Sequence, residues 1–192
     1  PGFCATDTGG VRAVNDSANT QSGCAGHTTW ETGMIENIKA FLDAIAYAEG
    51  TSNHPLTKNN GYDVIVTGVD GPEIFADYSD HPFANGRKPK DINGRGLFST
   101  ASGRYQFMRK DWLHYKSGLN LPDFGPASQD AWAIQLIKER RAIHDIEAGN
   151  FVKAIGKVSN LWASLPGAGY GQPERKLAAL QRAYEQAGGK FA

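Results

Sequence analysis

The feature that most constrains this chain is an apolar helical stripe that ends on an acid. Ile35, Ile38, Phe41, Leu42 and Ile45 recur at three- and four-residue steps. That spacing gathers side chains on one face of an α-helix. Glu49 lies four residues beyond Ile45 and shares the face. Gly50 follows, where a helix stops most easily. The pattern predicts a helix over about 35–49 with a carboxyl group at the end of its inward stripe. Burial and the helix's C-terminal carbonyls both disfavour negative charge there, so both raise the pKa. A carboxyl group protonated near neutrality is what a general acid requires. The plain alternative is an exposed glutamate in a last helical turn.

The remaining pattern is mixed. Tyr62-Asp63-Val64-Ile65-Val66-Thr67 and Ile74-Phe75-Ala76-Asp77-Tyr78-Ser79 flank Asp70-Gly71-Pro72, which predicts a β-hairpin. Residues 81–97 carry Pro82, Asn85-Gly86, Pro89 and Asn93-Gly94 and read as a long loop. Arg87-Lys88-Pro89-Lys90 within it reads as a solvated basic patch rather than a binding site. Helices are predicted over about 103–117, capped by Ser102, then about 128–148, 151–163 and 173–187. Pro166-Gly167-Ala168-Gly169-Tyr170-Gly171 is a glycine-rich loop.

Residues 1–33 break the pattern, being rich in Gly, Thr, Ser, Asn and Ala with few large apolar side chains. They are assigned as an N-terminal extension or linker, and 34–192 as one catalytic domain. A chain of 192 residues fits that division. Both cysteines, Cys4 and Cys24, fall in the extension. A disulfide closing a loop of about 20 residues would stabilise by roughly 3 kcal/mol and imply an oxidising compartment. Two free thiols in a cytosolic chain are the other reading.

Charge narrows the partners. Twenty Lys+Arg balance twenty Asp+Glu, so the broad basic surface of a nucleic-acid binder is missing. No apolar run is long enough to span a membrane, and the opening residues lack the basic-then-apolar pattern of an export signal. The five histidines, His27, His54, His81, His114 and His144, show no metal spacing, and His114 and His144 read as surface helix positions. The glycine-rich loop follows a helix and lacks the Lys-Ser/Thr ending of a phosphate loop. No metal and no cofactor are expected. Tyr78, Tyr105, Gln106, Trp162, Tyr170 and Gln172 combine aromatic faces with amides and hydroxyls, which suits sugar rings. Core packing is an equal reading for Trp162.

Five ordered blocks carry a family resemblance. They are Tyr47-Ala48-Glu49-Gly50-Thr51, Gly61-Tyr62-Asp63-Val64-Ile65-Val66, Phe75-Ala76-Asp77-Tyr78-Ser79-Asp80-His81-Pro82, Ser99-Thr100-Ala101-Ser102-Gly103-Arg104-Tyr105-Gln106 and Trp162-Ala163-Ser164-Leu165-Pro166-Gly167-Ala168-Gly169-Tyr170-Gly171-Gln172. Together they span most of 34–189 and resemble the bacteriophage lambda endolysin family. The sequence departs from that family at about 69–73 and 83–96, where the hairpin and its following loop are longer.

The resemblance implies an α+β, lysozyme-like fold, mostly helical, with a small β-hairpin lobe flanking a cleft. It implies a peptidoglycan lytic transglycosylase that cleaves the MurNAc–GlcNAc β-1,4 bond and leaves a 1,6-anhydro ring. Glu49 matches the family's catalytic glutamate. Asp77, Tyr78, Ser79, Ser102, Tyr105, Gln106, Tyr170 and Gln172 match cleft-lining positions, and Asp63 and Trp162 are added as substrate-binding candidates. A hydrolytic muramidase of the same fold is the alternative, with Asp63, Asp77 or Asp80 as second carboxylate. A non-catalytic glycan-binding module is a third reading. The expected partner is the peptidoglycan glycan strand. A monomer is expected, without stable membrane insertion. It would be made in the infected bacterial cytoplasm and act in the periplasm, reached through a holin or from an anchor that has been removed.

Overall fold

The computed structural model describes residues 29–171 and 173–192. Cys4, Cys24 and Gln172 lie outside them.

The first helix, α1 (Thr29–Glu49), ends where the glycine predicts. Gly50 has φ +74°, and Thr51 N–H reaches back to Ala46 O at 3.0 Å, closing the helix end. The helix starts six residues earlier than the apolar stripe indicates. Its first turn holds no member of that stripe, so periodicity carries no signal there. Phe41, Ala44 and Ile45 are fully buried. Phe41 meets Phe151 edge-on at 5.6 Å, and Phe151 meets Tyr184 at 4.6 Å. Truncating a buried aromatic such as Phe41 to alanine costs about 3–5 kcal/mol.

The hairpin forms, but shorter than predicted. Strand β1 (Val64–Gly68) pairs antiparallel with β2 (Gly71–Ile74), Val64 opposite Ile74. The second strand stops because its backbone groups find other partners. Asp77 Oδ1 accepts the Ser79 N–H at 2.8 Å, and Tyr78 O accepts the Phe124 N–H at 2.8 Å. The predicted long loop contains a second antiparallel ladder, β3 (Lys90–Asp91) with β4 (Phe98–Ser99). Its basic patch is not simply solvated. Lys90 is buried and pairs with Asp70 at 2.6 Å and Glu73 at 2.9 Å, and Arg87 pairs with Glu73.

The helix predicted over 103–117 is half turn and half helix. Ser102 and Phe107 exchange backbone hydrogen bonds at 3.0 and 2.8 Å, making a tight loop of 102–107. Gly103 has φ +78°, and a Cβ there would lie 2.2 Å from Gln129 Oε1. That oxygen accepts the Arg104 N–H at 2.8 Å, while Gln129 Nε2 donates to Tyr62 O and Phe124 O. Ser102 therefore anchors a turn instead of capping a helix, and α2 runs Arg109–Gly118.

The helix predicted over 128–148 is two, α3 (Pro126–Glu139) and α4 (Ile143–Glu147). Arg141, at φ +55°, reverses the chain between them. Helix α5 (Phe151–Val158), a 3-10 turn (Ser159–Leu161) and α6 (Leu177–Gln186) complete the order. An aromatic layer fills the other half of the core. Phe107 stacks on Trp132 at 3.9 Å, and Trp112 and His81 flank Phe124. No helix among the described residues is long and apolar enough to cross a membrane.

Candidate active site

Glu49 is the last residue of α1 and is partly buried. Burial pushes its pKa up to about 7. Two groups pull the other way, the Ser164 hydroxyl and the Arg175 guanidinium. Ser164 Oγ donates to Glu49 Oε1 at 2.5 Å. Arg175 lies exposed beside the helix end, where its Nε–H donates to Ala48 O at 3.2 Å.

Neighbouring segments are tied to the same helix end. Thr51 Oγ1 donates to Arg104 O at 2.6 Å, bringing the 102–107 turn against it. The Arg104 guanidinium is buried, pairs with Asp43, bonds Asn60 O and lies 5.1 Å over the Tyr62 ring. Trp162 is 4% exposed and donates from its indole nitrogen to Tyr105 O at 3.0 Å. Two residues later comes Ser164. One set of tethers thus gathers Glu49, Gln106 and the 162–170 loop.

A cavity of about 430 Å³ lies on the Gln106 and Trp162 side of this set, walled by Gln106, Lys110, Tyr115, Asn160, Trp162 and Tyr170, with Glu49 and Ser164 outside its lining. Tyr170 is exposed, and its hydroxyl donates to Asn160 O at 2.8 Å. Gln106 is half-buried and turns its amide onto Gly103 O. Tyr105 forms part of the wall but is 1% exposed, and its hydroxyl donates to Asp130 at 2.6 Å. Ser102 is fully buried with its hydroxyl on Thr100 O, so its side chain presents no surface to a ligand in this conformation.

Of the hairpin candidates, Asp63 and Tyr78 line a separate cavity of about 310 Å³ together with Asn59, while Asp77 and Ser79 line another of about 220 Å³. Tyr78 accepts a hydrogen bond from Asn59 Nδ2 at 2.9 Å. Asp63 is buried and accepts from Thr57 Oγ1 at 2.5 Å and Lys58 N at 2.8 Å. Asp77 and Ser79 are exposed and bonded to each other. Among the described residues, no three His, Cys, Asp or Glu side chains gather in a metal-holding group.

A family model described as Endolysin matches residues 39–191. The endolysin of Escherichia phage P2 is 63% identical over 155 residues, covering 80% of this chain and 94% of that protein. The endolysin of Escherichia phage lambda is 51% identical over 152 residues, covering 79% and 90%. The chain belongs to the endolysin family. Its fold matches bacteriophage lambda lysozyme complexed with a chitohexasaccharide at a TM-score of 0.75, with 49% identity over 82% of this chain and 97% of that one. A second structure of lysozyme from bacteriophage lambda gives 0.70 at 48% identity, over 82% and 97%. The α+β, lysozyme-like architecture read from the sequence is therefore this protein's fold.

Two residues that touch or act on the acid of this endolysin-family chain, Ser164 and Arg175, are not among the candidates read from its sequence. Both stand 115 or more positions from Glu49, and neither belongs to an apolar stripe. The weak signal available was the glycine-rich loop between them, a segment with a costly backbone conformation to hold.

Proposed function

We propose that this chain is a peptidoglycan lytic transglycosylase in which Glu49 serves as acid and then base, cutting the bacterial cell wall during lysis. One observation carries the reading: among the described residues, the charged group acting on Glu49 is a cation, Arg175, and its hydrogen-bond partner is a neutral hydroxyl, Ser164. A hydrolase of the two-carboxylate type needs a second acid to activate water or trap the sugar. The candidates for that part are engaged elsewhere. Asp63 holds Thr57 and Lys58, Asp77 holds Ser79, and Asp80 holds Trp112 and His81 N–H.

The reaction balances with one carboxyl group. Protonated Glu49 gives its proton to the glycosidic oxygen as the bond to the muramyl C1 breaks, and the leaving oxygen keeps the electron pair. Positive charge develops on the ring, as in other glycosidic cleavages. The C6 hydroxyl oxygen of the same sugar then bonds to C1, and the Glu49 carboxylate takes its proton. The acid is restored and no water is consumed. A pKa near 7 suits a group that must both give and accept a proton near neutral pH. The glycan strand runs past Gln106 and Tyr170 on one side and Asp77–Ser79 on the other. The enzyme acts as a monomer in the periplasm, with the residues ahead of α1 as an extension to the catalytic domain. The likeness to a lysozyme complexed with a chitohexasaccharide supports a β-1,4-linked sugar chain as the ligand class.

Digestion of purified peptidoglycan in ¹⁸O-labelled water tests this. The expected muropeptides are one water lighter than hydrolysis products and carry no label. Labelled reducing ends would establish the hydrolytic muramidase instead.

A further inference from the structure

The loop that delivers Ser164 and Arg175 is built around a carboxylate with no part in the chemistry above. Glu174 is exposed, yet both its oxygens are engaged. Oε2 accepts the Gly167 N–H at 2.8 Å and Oε1 accepts the Gly169 N–H at 3.0 Å. Gly167 and Gly169 sit at φ +78° and +73°, in left-handed conformations that turn neighbouring N–H groups toward one point. Those donors hold the Glu174 carboxyl below the usual carboxylate range, so it stays charged. The next residue closes the ring. Arg175 N–H donates to Ser164 O at 2.8 Å, and the Arg175 side chain bonds Ala48 O and lies 5.6 Å over the Tyr47 ring.

The loop is therefore pinned at three places: internally by Glu174, across its base by the Arg175 backbone, and to α1 by the two side chains at its ends. A loop with Gly167, Gly169 and Gly171 loses much backbone freedom when ordered, and the internal carboxylate offsets that loss.

We propose that Glu174 is a positioning residue, a latch that fixes the 164–175 loop so that Ser164 and Arg175 meet the end of α1 at Glu49. The proposal rests on the reading of Glu49 as the acid. It adds that the acid's proton affinity is set from a distance, by a side chain that never touches it. Among the described residues, the groups facing Glu49 are few. Ser164 and Arg175 come from this loop, the last carbonyls come from its own helix, and Arg104 on the adjoining turn is committed to Asp43 and Asn60. Unlatching the loop withdraws the two groups that favour the Glu49 carboxylate, so Glu49 would bind its proton more tightly.

The test compares Glu174→Ala and Glu174→Gln with wild type in the full chain. The Glu49 carboxyl is titrated by ¹³C NMR, kcat and KM are measured across pH, and melting is followed. Glu174→Ala is expected to raise the Glu49 midpoint and lower kcat roughly tenfold, the effect of about one charge-assisted hydrogen bond. Glu174→Gln keeps a carbonyl acceptor and should recover part of both. In a Ser164→Ala/Arg175→Gln background, adding Glu174→Ala should move the midpoint no further, because its route to Glu49 is already gone. An unchanged midpoint with a lowered melting temperature would reduce Glu174 to fold support and overturn the proposal. An equal shift in the double-variant background would overturn it too. The titration stands whichever product forms, so failure of the transglycosylase reading shows separately, in the label experiment.

Discussion

Glu49 and Asp80 are both partly buried carboxylates, and the protein treats them in opposite ways. At the end of α1, burial outweighs one hydroxyl and one exposed guanidinium, and the Glu49 pKa rises to about 7. On the β-lobe side burial is again the largest influence on Asp80. There the Trp112 indole, the His81 N–H and the Lys116 ammonium together overcome it and hold the carboxyl below its ordinary value. Asp77 sits at the surface, where the Ser79 N–H and then the Ser79 hydroxyl lower it. The difference is a count of donors against desolvation. A carboxylate surrounded by donors is a structural anion, whereas one left with few can trade a proton.

Removing the acid should have the largest effect. Glu49→Gln is expected to cut lysis about 10³-fold, within the range for a lost general acid–base group. It should also stabilise the fold at alkaline pH. The folded-state pKa of Glu49 lies above the unfolded 4.5, so its contribution to stability is fully present below 4.5 and is lost as pH rises through about 7. At pH 8 wild type carries a charge that the variant lacks. Discounting for partial exposure, the variant should gain roughly 1–2 kcal/mol there and nothing at pH 4. Denaturant unfolding at the two pH values reads this directly.

His81 extends the comparison to a base. It is fully buried, its pKa is lowered to about 4 by burial, and it donates to Phe107 O while accepting the Phe83 N–H. Stability from the neutral ring is present above 6.5 and lost as pH falls through 4. Melting temperature should drop across that window, by the equivalent of at most roughly 3 kcal/mol. His81→Gln should flatten the drop.

Asp63→Asn asks whether the hairpin carboxylates are structural. Losing a charged acceptor for Thr57 and Lys58 should cost about 1–3 kcal/mol in stability, leaving the alkaline limb of activity in place. A displaced limb would make Asp63 part of the chemistry. Asp77→Asn should do least, within about 0.5 kcal/mol, because an asparagine still accepts the Ser79 N–H at this exposed turn.

The sequence made Glu49 legible because periodicity and a stop signal coincide there: an apolar stripe ending at an acid, then a glycine that takes φ +74°. It misled at 103–108, where a helix beginning behind a Ser102 cap is predicted. The backbone is instead set by Gln129, more than 20 residues away, which fills the space a Gly103 side chain would need. Arg141 was illegible for another reason. A non-glycine residue in the left-handed region leaves no mark in composition, so two helices read as one. Lys90 looked like part of a solvated patch because its partners, Asp70 and Glu73, lie across a hairpin whose register no local pattern reveals. Ser164 and Arg175 share that character. They reach Glu49 through tertiary closure of a loop, and spacing along the chain says nothing of it.

The pH dependence of kcat/KM on peptidoglycan reads Glu49 as the acid without an intermediary, because it reports the ionisation of the free enzyme's essential groups. Activity should fall by half near pH 7 and keep falling above it, with the limb absent from the residual rate of Glu49→Gln. A wild-type profile flat from pH 5 to pH 9 would contradict it.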